Sequence, residues 1–325
     1  MTIRKPLLYA IAVIILSMLL VECSTMFSST GSSHASPRLA IGLVLTDCED
    51  DWKQEMYDSI QSAARQRAIQ VTTVQTARTQ ADQIDAIRKL LVYQMDAIIF
   101  SPVMENGWDY ILSEAAETQI PLITINERLS PSAASELRKS GGSVYHVGYD
   151  YDTLARSLSL TMRGADPAAL RLVQLSGSVG SSVSHDISFG FQDVLAESGP
   201  YQLCFSVGGD YMRSRASELI RSLLRNQYQF NAVLSYSDGM TLGVIDALER
   251  SGLTAGEDVQ IFSVGGGPSI SEAFAAGKIN ALAQCDLSDF GDTVIELVHQ
   301  LGTGEQPEEQ TLLSGTLLVN GGRTA

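Results

Sequence analysis

Residues 97–128, AIIFSPVMENGWDYILSEAAETQIPLITINER, contain the clearest structural pattern in the chain. The apolar segments Ala97–Phe100 and Leu122–Ile125 have the length and composition of buried parallel strands. Between them, amphipathic spacing from about Trp108 to Thr118 predicts a helix. A strand, a helix and a second strand joined by short links form a βαβ unit, whose crossover is nearly always right-handed.

The position of the links predicts where a ligand would bind. In an open sheet of βαβ units, ligands bind beyond the carboxyl ends of the strands. Residues Ser101–Trp108 and Asn126–Arg128 follow two such ends, so we expect them side by side at a cleft. The same alternation continues from Leu39 to Val319, interrupted by a predicted polar connector at 131–142. With 325 residues, it predicts two α/β lobes with parallel sheets.

Composition and motifs exclude several classes of function. The net charge of −15 argues against a nucleic-acid partner. The sequence contains no nucleophile elbow and no P-loop, and its four histidines are scattered, so we expect neither an enzyme nor a cofactor or metal site. Gly265–Gly267 precedes Pro268 and is interpreted as a hinge or tight turn. Cys48, Cys204 and Cys285 lack CxxC spacing, and we expect small buried side chains there.

The first residues resemble an export signal. The apolar segment Leu7–Val21 is shorter than the ~20 residues of a membrane-spanning helix and is preceded by basic residues. Cys23 is a candidate lipidation site, although Glu22 departs from the small residue expected before it; the alternative is an uncleaved signal anchor. We therefore expect residues 1–23 to be an export signal or membrane anchor and 24–38 a flexible tether, which locates the protein in the cell envelope outside the cytoplasm.

Aromatic and polar residues near strand ends suggest a sugar pocket. Trp52, Trp108 and Tyr211 each follow a predicted strand by a few residues. Aromatic rings that pack on a sugar ring, with amides and carboxylates that hold its hydroxyls, are the usual components of such a pocket; the alternative is that the rings pack under loops. The loop Ser176–Ser184 opens a helix, so its N–H groups could face an anion or line a pocket for a neutral ligand.

Acidic residues surround the predicted cleft. Asp47, Glu49, Asp50 and Asp51 follow the first strand, and Glu127 follows the strand that ends at Ile125. A solvated lip is the simpler interpretation of this acidic segment and a calcium site the less favoured one. A negative cleft mouth disfavours an anionic ligand and allows a neutral or cationic one.

Four segments together resemble one protein family. They are SPVMENGWDYILSEAAETQIPLITINE (101–127), LVQLSGSVGSSVSHDISFGF (172–191), GGDYMRSRASELI (208–220) and YSDGMTLGVIDALERSGL (236–253). They are similar to type 1 periplasmic sugar-binding proteins of ABC transporters, in the galactofuranose- and ribose-binding branch. The resemblance implies two Rossmann-like lobes joined by a three-segment hinge, with crossings near Val147, Val264 and Cys285. It implies a first lobe of 39–147 plus 264–285 and a second of 148–263 plus 286–325.

The resemblance also implies site residues. Positions that match sugar contacts of the family, together with neighbouring candidates, are Glu49, Trp52, Lys53, Trp108, Asn126, Glu127, Asp186, Tyr211, Ser237, Asp238 and Gln284. The family's charged contacts are largely replaced, because an aspartate–arginine pair becomes Asn126-Glu127 and a second arginine becomes Ile187. An aspartate of the family becomes Gly265.

These observations predict an exported, monomeric solute-binding protein. It would close over a small sugar or sugar-like ligand and present it to an ABC sugar permease, so that the ligand biases an open–closed equilibrium. The alternative is a ligand-sensing subunit that feeds a membrane histidine kinase, with an altered pocket. A third class, an interaction module without a ligand, stays open, whereas a LacI-type repressor is rejected because the chain begins with an export signal and is acidic.

Overall fold

The computed structural model describes residues 39–164, 170–198 and 202–320. The predicted export signal, the tether and the candidate lipidation residue Cys23 lie outside the described residues. Leu39–Ala325 forms one compact unit. A search of the described residues for a helix long and apolar enough to span a membrane finds none.

Strands and helices alternate along the described residues until the last two strands, which follow each other directly. The first part contains β1 (Ala40–Thr46), α1 (Asp51–Gln66), β2 (Gln70–Thr76), α2 (Gln80–Val92), β3 (Ala97–Phe100), α3 (Asp109–Thr118), β4 (Leu122–Ile125), α4 (Pro131–Lys139) and β5 (Val144–Tyr149). The second part contains α5 (Tyr151–Gly164), β6 (Arg171–Ser176), α6 (Ser182–Ser198), β7 (Gln202–Gly208), α7 (Arg213–Arg225), β8 (Ala232–Ser235), α8 (Asp238–Arg250), β9 (Gln260–Gly265), α9 (Pro268–Ala275), β10 (Ala281–Gln284), α10 (Phe290–Gly302), β11 (Gln310–Leu313) and β12 (Thr316–Val319).

The strands form two six-stranded sheets. The first has the order β11-β5-β4-β3-β1-β2 and is parallel throughout. The second has the order β12-β10-β9-β8-β6-β7 and is parallel except for β12, which runs antiparallel to β10. The predicted fold class, two parallel-sheet α/β lobes, is confirmed.

The predicted lobe boundaries need correction. Strands β9 and β10 belong to the second sheet, whereas β11 joins the first. Helix α10 also belongs with the first sheet, because Gly291 lies against the backbone of Ser59 in α1. Lobe one is therefore 39–149 plus 290–313, and lobe two is 151–284 plus 316–320. Assigning 264–285 to lobe one was wrong because an apolar strand pattern does not reveal which sheet the strand joins.

The chain crosses between the lobes three times, as the resemblance implied. The crossings are at Asp150, at residues 285–289 and at 314–315, between neighbouring elements that belong to different sheets. Two expected crossings, near Val147 and Cys285, lie close to observed ones. Val264 instead lies inside β9, so that expectation was wrong.

Helix α4 replaces part of the predicted polar connector. Ser130 caps the helix by accepting a hydrogen bond from Ala133 N at 3.3 Å, and Pro131 occupies the first turn. Ala133 and Leu137 are buried against lobe one. The Ser-Pro pair was the available signal, since serine favours the cap position and proline the first helical position.

Helix α1 brings the candidate residues of the first loop to the cleft. Asp50 is its N-cap and accepts from Lys53 N at 3.3 Å. The buried residues Met56, Ile60 and Ala64 recur at the spacing of an amphipathic helix and form the stripe that packs on the sheet. Because that stripe fixes the rotation of the helix, Trp52 and Lys53 in its first turn face the carboxyl ends of the strands.

Candidate ligand-binding site

A cavity lies between the two lobes at the carboxyl ends of both sheets. It contains about 90 Å³ of space that a water-sized sphere can occupy. Seven of the predicted site residues line it: Trp52, Lys53, Asn126, Glu127, Tyr211, Ser237 and Asp238. Both lobes contribute, so the cavity exists only when they are together.

Trp52 connects the cavity to the second crossing. Its side chain is 7% exposed, and its indole Nε1–H donates to the carbonyl of Cys285 at 2.8 Å. The ring of Trp52 lies 6.2 Å from that of Tyr149, which stacks on Phe290 at 6.0 Å. The hydroxyl of Tyr149 donates to the carbonyl of Asp286. An aromatic cluster therefore packs against the segment through which the lobes would rotate.

The carboxylate of Glu127 is bound by the start of helix α6. Ser181 Oγ donates to its Oε1 at 2.5 Å, and Ser182 Oγ and Val183 N donate to its Oε2 at 2.7 and 3.1 Å. The Ser176–Ser184 loop does bind an anion, and that anion is a side chain of the other lobe. A buried carboxylate with three donors at a helix N-terminus is well stabilised.

Tyr211 extends this network into the cavity. Its hydroxyl lies 2.6 Å from Ser181 Oγ and donates to it, because the Ser181 proton is already directed at Glu127. Burial and the nearby Glu127 raise the pKa of Tyr211 well above its ordinary value. The hydroxyl therefore stays protonated at physiological pH and remains a donor.

Arg128 and Asp186 form an ion pair across the cleft. Both guanidinium Nη atoms bind the carboxylate, and the Nη2–Oδ1 distance is 2.8 Å. Asp186 was a predicted ligand contact, but it does not line the cavity, because Arg128 engages both of its oxygens. The pair is three-quarters buried on each side, so solvent screens it less than a surface pair.

Lobe one caps four helices of lobe two. In each case a carboxylate from lobe one accepts a backbone N–H from the first turn of a lobe-two helix, at 3.1–3.3 Å. The pairs are Glu49 with Ser214, Asp50 with Gly239, Asp51 with Ser269 and Glu127 with Val183. The first N–H groups of a helix lack partners within the helix and carry positive partial charge. The acidic loop is thus an interlobe contact, and a freely solvated lip does not describe it.

Asn126 and Tyr151 face each other across the cavity. The Tyr151 hydroxyl donates to Asn126 Oδ1 at 2.5 Å, and burial raises the pKa of this phenol well above its ordinary value. Asn126 and Tyr211 both have positive φ, 60° and 59°. Such backbone is uncommon for asparagine and unfavourable for tyrosine, and strain of this kind concentrates at functional sites. Tyr151 was not predicted, although it directly follows the crossing at Asp150, close to the crossing expected near Val147.

Asp238 occupies a cradle of glycine N–H groups. Gly266 N donates to its Oδ1 at 3.0 Å and Gly267 N to its Oδ2 at 2.6 Å. A Cβ added at Gly265 would lie 1.5 Å from Asp238 Oδ1, so only glycine fits there. The glycine run follows β9 within lobe two and packs against Cys285 at the second crossing, but the chain does not itself pass between the lobes there. Of the two interpretations, hinge or tight turn, the hinge is therefore wrong. Burial and the neighbouring Asp50 raise the pKa of Asp238 well above its usual range.

Two cationic side chains offset the acidic lining. Lys53 lines the cavity as predicted, and Arg78 lines it as well. The guanidinium of Arg78 donates to the carbonyl of Asp210 in lobe two, so it also joins the lobes. Arg78 was missed, although it stands two residues beyond the end of β2 at Thr76. The cavity is therefore of mixed charge, and the expected negative mouth describes only part of it.

Three of the predicted site residues lie away from the cavity, in addition to Asp186. Glu49 is occupied with Ser214, whose N and Oγ both donate to it. Gln284 ends β10 between β9 and β12. Trp108 is 1% exposed and packs on Phe100 with ring centroids 5.5 Å apart, so it belongs to the core of lobe one.

We predict that Trp108→Phe lowers the free energy of unfolding without changing ligand affinity. The indole Nε1–H donates to the carbonyl of Met104 at 2.7 Å, and phenylalanine keeps an aromatic ring but lacks this donor. We expect a loss of about 1–2 kcal/mol, from one neutral hydrogen bond and a small cavity. Denaturant unfolding measures this loss, and calorimetry with a sugar measures affinity. If the variant binds sugar at least tenfold more weakly than the wild type, Trp108 contributes to the ligand-binding site after all.

The three cysteines of the described residues are free thiols. Cys285 is buried, as expected, and burial raises the pKa of its thiol. Cys48 and Cys204 are only half-buried, which corrects the expectation that all three are buried. Cys48 and Cys285 both line the cavity.

Two parallel-sheet lobes, three crossings and an interlobe cavity at the strand ends define a two-lobed ligand-binding protein. The chain belongs to the periplasmic binding protein domain family, which matches residues 41–306.

Several relatives of this chain are named as sugar-binding proteins. The galactofuranose-binding protein YtfQ of Escherichia coli K12 is 25% identical over 307 residues, which cover 93% of this chain and 94% of that protein. The binding protein of an arabinose ABC transporter from Shewanella sp. ANA-3, solved with L-arabinofuranose, is 25% identical with a TM-score of 0.79, covering 86% of this chain and 91% of that one. The fructose-binding periplasmic domain of a hybrid two-component system shares the fold, at 18% identity and a TM-score of 0.74, with 87% and 91% covered.

Proposed function

We propose that this protein is an exported solute-binding protein that closes over a small sugar and delivers it to an ABC sugar permease. The observation that carries the proposal is the interlobe cavity, in which Trp52 and Tyr211 come from opposite lobes together with polar groups. Rings of this kind pack on the apolar faces of a sugar, while amides and hydroxyls bind its hydroxyl groups. The protein acts as a monomer, held in the cell envelope by a signal anchor or by a lipid on Cys23.

The proposed ligand is a small neutral sugar, in the furanose form. Galactofuranose and arabinofuranose are named for two relatives at 25% identity, and the polar groups beside Trp52 and Tyr211 suit a ligand with several hydroxyl groups. Asn126 Nδ2 would donate to a sugar oxygen, because Oδ1 already accepts from Tyr151. Glu127 and Asp186, whose oxygens are occupied within the protein, would hold the lobes around the ligand without binding it.

A thermal-shift panel tests this proposal. L-arabinose, D-galactose, D-ribose and D-fructose are added separately to the full chain at millimolar concentration, with sucrose as a bulk-solvent control. A sugar that binds the native state stabilises it by RT ln(1 + [L]/Kd), about 2.7 kcal/mol at one hundred times Kd. We expect at least one monosaccharide to raise Tm by several degrees, with a reduced shift in Asn126→Ala. No shift with any sugar contradicts the sugar-binding proposal and favours a module without a ligand.

A second candidate is a sensor subunit for a membrane histidine kinase. The observation that favours it is the set of interlobe contacts made by Glu127, Arg128 and the acidic loop, which stabilise closure through the protein's own side chains. Such a protein can report on a ligand without releasing it rapidly. Deletion of the gene separates the two candidates, because loss of radiolabelled sugar uptake indicates transport. Intact uptake with loss of a sugar-induced transcriptional response indicates sensing.

A further inference from the structure

Three carboxyl groups meet where the lobes close. Asp50 and Asp51 belong to lobe one and Asp238 to lobe two, and one oxygen from each lies within 4.8 Å of the others. None of the three forms an ion pair in the described part of the chain. Asp50 and Asp238 are buried and Asp51 is partly buried. Like charges this close cannot all remain ionised cheaply, so such groups share a proton.

One of the six carboxylate oxygens in the three groups has no hydrogen-bond donor. Backbone N–H groups donate to both oxygens of Asp50, both of Asp238 and Oδ2 of Asp51. Asp51 Oδ1 is buried and has no partner. A buried acceptor without a donor costs about 1–3 kcal/mol, and a proton on a neighbouring carboxyl would supply the donor. The cluster is less suited to bind a metal ion, because five of the six oxygens already accept hydrogen bonds.

We propose that closure of the two lobes takes up a proton, which is shared among Asp50, Asp51 and Asp238. Opening separates Asp238 from the other two and returns the carboxyls to water, where the proton leaves. The protein therefore closes more readily as the pH falls. This inference rests on the proposed function only in that the lobes open and close, and it makes the ligand affinity of the same site dependent on pH.

The surrounding groups do not neutralise the cluster. Lys53 lies one turn beyond Asp50 and attracts it, although its ammonium does not form an ion pair with the cluster. Arg213 on α7 faces Asp51, but its guanidinium is bound to Asp246. Glu49 is adjacent in sequence and adds negative charge. The thiol of Cys285 also faces Asp238 and stays protonated.

The raised pKa values of Asp50 and Asp238 determine whether a fall in pH favours closing or opening. Burial is the main cause that raises the pKa of both Asp50 and Asp238 in the closed protein, and their mutual repulsion adds to it for Asp238. Solvated aspartates of the open state have a pKa of about 4. Between that value and the raised pKa, the closed state holds the extra proton and gains up to about tenfold in the closing equilibrium for each unit by which the pH falls.

Small-angle X-ray scattering of the full chain without sugar, in EDTA buffer, tests the proposal. We expect the radius of gyration of the wild type to decrease from pH 8 to pH 5. In Asp51→Asn, an amide Nδ2 placed at the orphaned oxygen would donate permanently, so we expect compact protein at both pH values. Asp109→Asn is the matched control, because Asp109 also lies in the first turn of a helix but is exposed and remote from the cleft. It should behave as the wild type does.

The possible outcomes separate the alternatives. A wild-type radius that does not change with pH, or an Asp51→Asn variant that keeps the wild-type dependence, overturns the proposal. Compaction at pH 8 on adding Ca²⁺ or Mg²⁺ without EDTA also overturns it, in favour of a metal site. If Asp51→Asn fails to fold, ¹³C NMR of aspartate-labelled wild type replaces it, and every carboxyl titrating near pH 4 refutes the shared proton. The sugar panel is performed at one pH, so its result stands independently.

Discussion

Glu127→Ala is expected to open the cleft. The substitution removes the carboxylate of lobe one and leaves Ser181, Ser182 and the N–H of Val183 in lobe two without their acceptor. Losing one member of a buried charged hydrogen-bond network costs about 2–5 kcal/mol. At about 3 kcal/mol, the closing equilibrium and the affinity for sugar both fall on the order of a hundredfold. Scattering reports the larger radius of gyration, and calorimetry reports the weaker binding.

Two matched variants make the Glu127 experiment specific. Glu127→Gln keeps the shape and one acceptor oxygen but places an amide donor against other donors, so an intermediate effect is expected. Glu136→Ala removes an exposed glutamate on α4 and should leave both measurements at the wild-type value. If Glu127→Ala remains as compact as the wild type and binds sugar as tightly, its carboxylate does not hold the lobes together.

Trp52→Ala is expected to weaken both the fold and the site. The ring is 7% exposed, lies 6.2 Å from Tyr149 and donates to Cys285 at the second crossing. Truncating a buried tryptophan to alanine costs about 3–5 kcal/mol of the free energy of unfolding. Because the ring also lines the cavity, we expect sugar affinity to fall by more than tenfold in protein that is still folded.

Trp52→Phe separates the two contributions of this side chain. It keeps an aromatic face for the ligand and removes the N–H donor, so we expect most of the affinity to remain and about 1–2 kcal/mol of stability to be lost. Calorimetry measures the affinity, and urea unfolding measures the loss of stability. A loss of less than about 1 kcal/mol in Trp52→Ala would show that the ring contributes little to packing, against the burial reported above.

Local elements were predictable because local signals specify them. The strands β3 and β4 and the helix between them follow from hydrophobic periodicity, which depends on neighbouring residues. The sheet to which β10 belongs depends on contacts between distant residues. No local pattern contains that information, and the lobe assignment of 264–285 failed for this reason.

The residues of the candidate site also divide into those that local sequence predicts and those that depend on contacts between distant residues. Proximity to a strand end correctly brought Trp52, Asn126 and Tyr211 to one cavity, because parallel strands end at a common edge. The same criterion was wrong for Trp108, because the side chain of a residue at the start of a helix can point either into the core or into the cleft. Glu127 lines the cavity but uses its carboxylate on α6, a pairing between lobes that only the assembled chain reveals.

The order in which the chain visits its two sheets affects how the protein can fold. Lobe one acquires the edge strand at residues 310–313 and the helix that covers α1 only after all of lobe two except β12 has been synthesised. Contacts of such long sequence separation form slowly, because a long loop must close first. A nascent chain therefore has no finished first lobe until residues 290–313 emerge, and truncation before residue 290 would damage the lobe that was synthesised first.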